Sequence, residues 1–355
     1  MNNTILPARL VLPGRILRRE LDSRGWTQKE LAKIMGRPEQ MISEIINGSK
    51  QITPETAIEL SAAFGTSPEF WLNLESKYRL QLAEQVVKTE TITRRSLLFN
   101  CVPLKELKRR NWIRTPDSID ELEKIVCSFL GILSIEEAPS IVANFRQSTC
   151  KSPHPSSQLS WIKRAEHLAW RQNVKSFTLA KTLDLIPDLL KLSANVKDVS
   201  LVPGFLSEIG IHFVIVPHLP KTYLDGALFY IEDHPVVALS LRYDRIDSFW
   251  FTLMHELGHL IKQHSGIFLD DLDETSEDEC EIEANKYAQD CLIPPELFNE
   301  FTKLQIFYSK TSIERFASVI NRHPGIVLGR LHYSNLVPFQ NMRQLLVRVS
   351  PYLDV

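Results

Sequence analysis

The stretch Phe251-Thr252-Leu253-Met254-His255-Glu256-Leu257-Gly258-His259 decides how the second half of this chain is read. Apolar residues run from Phe249 to Leu253 and return at Leu257, Leu260 and Ile261, which predicts a largely buried helix from about Asp247 to Gln263. His255 and His259 are four apart, so they share one helix face at roughly 6 Å, a separation suited to two imidazoles on one zinc ion. Glu256 lies beside them and can take a proton from an attacking water. Two histidines and a glutamate on an apolar helix need a reason, because burying polar groups without partners costs free energy.

A catalytic zinc needs a third protein ligand and an open position. The metzincin pattern would place a glycine and a histidine where this chain has Lys262 and Ser265, so that class is excluded. A glutamate on a second helix is the better source, and Glu281-Ile282-Glu283-Ala284-Asn285-Lys286-Tyr287-Ala288 supplies it. Glu281 and Asn285 are one turn apart, and Ala284 and Ala288 permit close packing on the first helix. Glu281 is assigned as ligand, with Asn285 orienting a histidine. Glu283, about 200° away around the helix, is the alternative. His264 is a further candidate, but five residues after His259 it falls on a different helix face. Manganese is the alternative metal.

Upstream, Ile211 to Val216, Gly226 to Ile231 and Pro235 to Leu241 read as strands, the last two joined by a hairpin at Glu232-Asp233-His234. Downstream, Pro294-Pro295 ends the second site helix, and a helix pair spans about 311 to 332. The expectation is a mainly α, α+β chain with a small three-stranded sheet.

The first 84 residues read differently, as five short helices. Thr27 with Glu30 forms a capping box for a helix through Met35, and Gly36 permits the turn into a third helix, Glu39 to Asn47, closed by Gly48. This is the spacing of a helix-turn-helix. Ile42 and Ile45 hold the second helix down and leave Glu39, Gln40, Ser43 and Glu44 outward, where base edges are met. Gln28, Lys33, Asn47, Ser49 and Lys50 are placed for phosphates. The spacing alone also fits a small helical bundle with no nucleic-acid role.

The run TQKELAKIMGRPEQMISEIINGSK, with ITPETA, FGTSPEFWLNL and YRL after it, resembles the HigA-type antitoxins of the XRE helix-turn-helix class over about residues 10 to 84. The resemblance implies operator binding, usually as a homodimer, with autorepression and often a toxin partner. Glu39 and Glu44 depart from a groove-facing pattern: carboxylates accept from cytosine N4 but repel phosphates. The strands before the motif, FTLMHELGHLIKQH and EIEANKYAQDCLIPPE look like the ImmA/IrrE zinc metallopeptidases, over about residues 200 to 335. Phe145-Arg146-Gln147-Ser148 and WIKRAEHLA are similar to longer proteins that fuse the two. That resemblance implies one zinc ion and cleavage of a helix-turn-helix repressor, or of the chain itself. Tyr287, Arg330, His332 and Tyr243 are candidate oxyanion stabilisers. The alternative is an antitoxin whose peptidase-like half is a non-catalytic sensor or scaffold.

The expected organisation is a helix-turn-helix domain at 10–84, a basic connector and helical region at 85–200, a peptidase domain at 201–335 and a C-terminal tail at 336–355. The connector is rich in Lys88, Arg94, Arg95, Lys105, Lys108, Arg109, Arg110 and Arg114; it reads as a solvated helix face or as a phosphate-contacting extension. Gln147 to Ser160 is a loop by composition. Asp270 to Glu283 holds nine acidic residues and no basic one, a solvated loop or a screen for basic substrates.

Composition frames these readings. Lys+Arg is 41 and Asp+Glu 43 of 355 residues, so near-neutrality carries no global sign of nucleic-acid binding, yet Arg9 to Lys50 holds nine basic and five acidic residues. Only 13 glycines suggest helix-rich structure. Five widely spaced cysteines without a CxxC argue against a disulfide framework, and no apolar run approaches the ~18 residues of a membrane span. The expectation is a soluble cytoplasmic protein.

Overall fold

The computed structural model describes residues 11–84, 89–137, 155–264, 268–270, 278–304 and 307–353. The chain divides into two compact units, Met1–Thr93 and Arg94–Val355.

The first unit contains α1 (Pro13–Arg24), α2 (Gln28–Met35), α3 (Glu39–Asn47), α4 (Pro54–Phe64) and α5 (Pro68–Glu84). Each start is written locally. Thr27 accepts from the Glu30 N–H while the Glu30 carboxylate accepts from the Thr27 N–H, the expected capping box. Thr53 caps α4, and Pro54 fills its first turn. Gly36, at φ 62, turns the chain between α2 and α3. One apolar stripe from each helix, through Leu17, Leu31, Ile42, Leu60 and Trp71, fills the core. The five helices match the expectation.

Beyond them come α6 (Thr89–Cys101), α7 (Leu104–Arg109) and α8 (Ile119–Leu130). Leu98, Leu107, Val126 and Leu130 pack these helices together. Three of the connector's basic side chains are engaged here. Arg94 pairs with Asp120 and Glu123, Arg109 pairs with Glu106, and Arg110 donates to the His218 carbonyl. Arg95, Lys105, Lys108 and Arg114 stay exposed, and Lys88 lies outside the described residues.

Next are α9 (Pro155–Ala169), α10 (Leu179–Lys191) and α11 (Val202–Glu208), then β1 (His212–Ile215), β2 (Gly226–Ile231) and β3 (His234–Leu239). The expected loop at 147–160 is corrected from Pro155 onward. Pro155 suits a first helical turn, the Ser160 hydroxyl bonds back to the Ser156 carbonyl at 2.6 Å, and Gln158 donates to the Thr222 carbonyl at 3.2 Å. Serine and proline are as much the composition of a helix start as of a loop. Residues 147–154, and Phe145 to Ser148 with them, lie outside the described residues.

The sheet has the order β1-β3-β2-β4, with β1 parallel to β3 and the other pairs antiparallel. The three expected strands are present. A fourth, β4 (Phe268–Asp270), extends the β2 edge. Three residues beside an acidic run carry too little alternation to announce a strand. Both faces are covered. Val214, Ala227, Phe229 and Val236 meet Trp161 and Ala165 of α9 on one side. Phe213, Leu228, Val237 and Leu239 meet the long helix α12 (Ile246–Ile261) on the other. Burial on two faces explains the nearly continuous apolar runs. It also places α9 on the sheet, so residue 200 marks no structural boundary.

The remainder is α13 (Glu279–Leu292), α14 (Pro295–Leu304), α15 (Lys310–Val319) and α16 (Pro324–Tyr333). The expected tail from 336 is corrected: Val337, Leu345, Leu346 and Val349 enter the main core through irregular backbone that has no helical or strand period. Cys101, Cys280 and Cys291 are free thiols; Cys150 lies outside the described residues. Among the described residues no helix is long and apolar enough to cross a membrane.

Candidate metal centre and nucleic-acid face

Helix α12 passes between the sheet and α13. Its apolar side chains, Phe249, Trp250, Leu253 and Leu257, fix its orientation and bury His255, Glu256 and His259 completely. Asp278 caps α13 by accepting from the Cys280 N–H. Gly258 faces α13, where a Cβ would lie 3.2 Å from Ala284 Cα and 3.1 Å from Tyr287 Cδ1. Small residues at 258, 284 and 288 therefore let the two helices approach closely.

That approach brings three donor groups together. His255 Nε2 and His259 Nε2 are 3.0 Å apart, and the Glu281 carboxylate lies 3.3 Å from the first and 3.5 Å from the second. One ligand atom from each lies within 4.8 Å of the others. Two imidazoles and a carboxylate converging on one point are a donor set that zinc takes, so the residues fit the ion. Burial alone would raise the Glu281 carboxyl, but hydrogen bonds with His255 and His259 outweigh it and hold the group below the usual carboxylate range.

The far ring nitrogens are also engaged. His255 Nδ1 is 3.1 Å from Oδ1 of Asn285, the residue one turn after Glu281. His259 Nδ1 is 2.9 Å from His264 Nδ1, and His264 Nε2 is 3.3 Å from Glu283 Oε2. With a metal ion at the shared point each ring would present an Nε2 lone pair and carry its proton on Nδ1; His259 would then donate to His264, which would donate to Glu283. His264 and Glu283, the alternatives for third ligand, thus lie behind His259. A helical-face argument cannot place His264, because α12 ends at Ile261 and Gln263, at φ 54, turns the chain back. His264→Ala is expected to weaken zinc binding about 10–100-fold. Competition against a chromophoric chelator measures this; unchanged affinity would remove the supporting role.

Glu256 touches a residue that the sequence did not single out. A Cβ on Gly226 would stand 2.1 Å from Glu256 Oε1 and 2.7 Å from Thr252 Cγ2. A glycine opening a strand was the available signal. Tyr287 belongs to the helix contact, where burial pushes its phenol well above the ordinary range. Tyr243, Arg330 and His332 line a cavity of 560 Å³ beside the N-terminal half of α12.

In the first unit, Glu39, Gln40, Asn47 and Lys50 are exposed, as is Lys33, while Gln28, Ser43 and Glu44 are half-buried. Gln40 donates to Glu44 at 2.9 Å and Asn47 to Ser43 at 3.5 Å, so α3 presents one continuous polar face opposite Ile42, Ile45 and Ile46. Gln40 holds the Glu44 carboxylate in place on that face.

Comparison with known proteins follows the same division. The helix-turn-helix family HTH_3 matches residues 17–71, and the IrrE N-terminal-like domain, Peptidase_M78, matches residues 208–320. The chain is 35% identical over 82 residues to the uncharacterized HTH-type transcriptional regulator YddM of Escherichia coli K12, covering 23% of this chain and 87% of that protein. It is 44% identical over 68 residues to antitoxin HigA-1 of Vibrio cholerae, covering 19% of this chain and 64% of that one. Among solved structures, an addiction module antidote protein of the HigA family from Coxiella burnetii is 36% identical and covers 24% of this chain and 95% of that chain, with a TM-score of 0.23. The chain therefore belongs, through its N-terminal unit, to the helix-turn-helix regulators with HigA-like antitoxin relatives, and it carries an IrrE N-terminal-like domain of the Peptidase_M78 family in its C-terminal unit.

Proposed function

We propose that the chain is a cytoplasmic DNA-binding transcriptional regulator whose C-terminal unit is a zinc-dependent endopeptidase that cleaves a repressor protein or the chain itself. The observation that carries this reading is the fully buried Glu256 beside the converging His255, His259 and Glu281. A scaffold has no use for that carboxylate.

His255, His259 and Glu281 would hold the ion. Zinc bound there supplies Lewis-acid polarisation of the scissile carbonyl and a lowered pKa for its water. Glu256 accepts the proton of the attacking water and returns it to the leaving amine. Asn285, and His264 with Glu283, orient the two rings. The outer edge of β4 in the described sheet offers unpaired backbone groups to an extended substrate. Metal analysis with a cleavage assay tests the reading. One zinc per chain, cleavage abolished by chelation and restored by zinc or manganese, is the expected result. Absence of stoichiometric metal would favour a scaffold or sensor module.

The N-terminal unit binds double-stranded operator DNA, as a homodimer, through the polar face of α3, and a toxin protein is its second partner. Gln28, Lys33, Asn47 and Lys50 hold phosphates, while Glu39, Gln40, Ser43 and Glu44 face bases. Replacing Gln40 and Ser43 together by Ala should weaken binding to the protein's own promoter about tenfold or more, since a good base contact is worth ~1–3 kcal/mol. An electrophoretic shift that survives both substitutions unchanged would remove the assignment.

A further inference from the structure

The 560 Å³ cavity beside α12 has a charge arrangement that peptide hydrolysis does not require. Four arginines line it, Arg242, Arg245, Arg330 and Arg343, together with Asp225, Asp244 and Asp247. The three acids are engaged. Asp247 takes Arg245 in a two-point pair at 3.0 and 3.2 Å. Asp225 lies 3.7 Å from Arg242. Asp244 accepts from the Val349 and Ser350 N–H groups and from Arg348. Among the described residues neither Arg330 nor Arg343 makes a direct ion pair, although the charge of Asp290 reaches Arg330.

Arg330 is the more telling of the two. Its Nη1 is buried without a hydrogen-bond partner, and its guanidinium stacks over Phe298 and Tyr333 at 5.4 and 6.0 Å. His332, on the same helix and 7% exposed, bonds the Asn341 carbonyl through Nε2 and leaves Nδ1 buried and unpartnered. Native proteins rarely leave buried polar atoms without partners, so two of them at one cavity point to a polar group that enters it. The remaining wall is apolar: Phe251, Ile326 and Phe339. The volume falls within the ~300–1,000 Å³ of small-molecule sites.

We infer that this cavity is an effector site for a small amphipathic anion, with a carboxylate or phosphate head on Arg330 and Arg343 and an apolar body against Phe251 and Phe339. The cavity is coupled to the metal centre by contact. The Phe251 ring lies 6.3 Å from the His255 ring, and Thr252 packs on Gly226, which in turn touches Glu256. Binding itself does not depend on the endopeptidase reading.

Isothermal titration of the full chain, zinc-loaded and chelator-stripped, tests the site with 4-phenylbutyrate and phenyl phosphate as probes and neutral 4-phenylbutyramide as comparator. Saturable binding of at least one anion is expected in both metal states. The amide should bind about tenfold more weakly or not at all, and Arg330→Gln should weaken the anion about tenfold or more. The stronger anion identifies the head group. Equal binding of acid and amide, retention of full affinity in a folded Arg330→Gln, or no binding of either anion overturns the proposal. Binding lost on chelation would place the anion on the metal and overturn it as well. Should Arg330→Gln fail to fold, the acid and amide on the unaltered chain still decide. A protein that binds the anion but never cleaves would overturn only the endopeptidase reading.

Discussion

Glu256→Gln is expected to lower proteolysis about a hundredfold to ten-thousandfold while leaving bound zinc unchanged. Glutamine keeps the shape that fits against Gly226, where there is no room for even a Cβ. It leaves the converging atoms of His255, His259 and Glu281 untouched. What it removes is the basic oxygen that takes a proton from water. Glu256→Ala would be a poorer test, because it empties a fully buried position between β2 and α12 and mixes a packing loss with a chemical one. The check is a progress curve for substrate cleavage by the two proteins, with metal content and melting temperature measured on the same samples. Equal rates at equal zinc content would show that Glu256 is not the base. Loss of zinc in the variant would show that it belongs to the metal site instead.

The second large effect is expected in the N-terminal unit. Gly14 lies in α1, and a Cβ there would stand 2.2 Å from the Ile46 carbonyl oxygen and 2.5 Å from that of Ile45. These are backbone atoms near the end of α3, so no side chain can swing aside. Gly14→Val must therefore push α1 away from α3 and open the core around Leu17 and Ile45. Overpacking of this kind is unfavourable by about 1–3 kcal/mol or more, a large share of the ~5–15 kcal/mol that stabilises a typical domain. Operator binding should be lost with it, because α3 carries the polar face. The C-terminal core shares none of these residues, so its own unfolding transition should stay in place. Calorimetry of the full chain with a promoter-shift assay checks both halves. An unchanged first transition would mean that α1 accommodates the side chain and that the close approach is not required.

How much was legible follows from where each signal resides. The capping box at Thr27 and Glu30, the turn at Gly36 and the pairing of Glu281 with Asn285 are all local, set within one or two helical turns. The strands at 212–215, 226–231 and 234–239 were legible as apolar runs, because both faces of the sheet are covered. The start of α9 was not, since its residues are polar in composition but buried, with Ser160 bonded back to the Ser156 carbonyl and Gln158 to the Thr222 carbonyl. Residues 336–353 carry no period, and only the core they enter gives them a fixed place. The exact place of His264 was not legible, because it depends on a left-handed residue after the helix end.

By itself, then, the sequence determined the two motifs, their helices and the residues that offer donor atoms to the candidate metal centre, because helical spacing converts order along the chain directly into position on a face. The tertiary structure decided which of those groups meet. Gly258 and Ala284 set the separation of α12 and α13, and so bring Glu281 rather than Glu283 to the paired histidines. Gly226 seats Glu256 against β2, and the cavity lined by Arg330 and His332 is gathered from strand, helix and C-terminal segments far apart in the chain. Such convergence is fixed by packing between elements, and no spacing within one element encodes it.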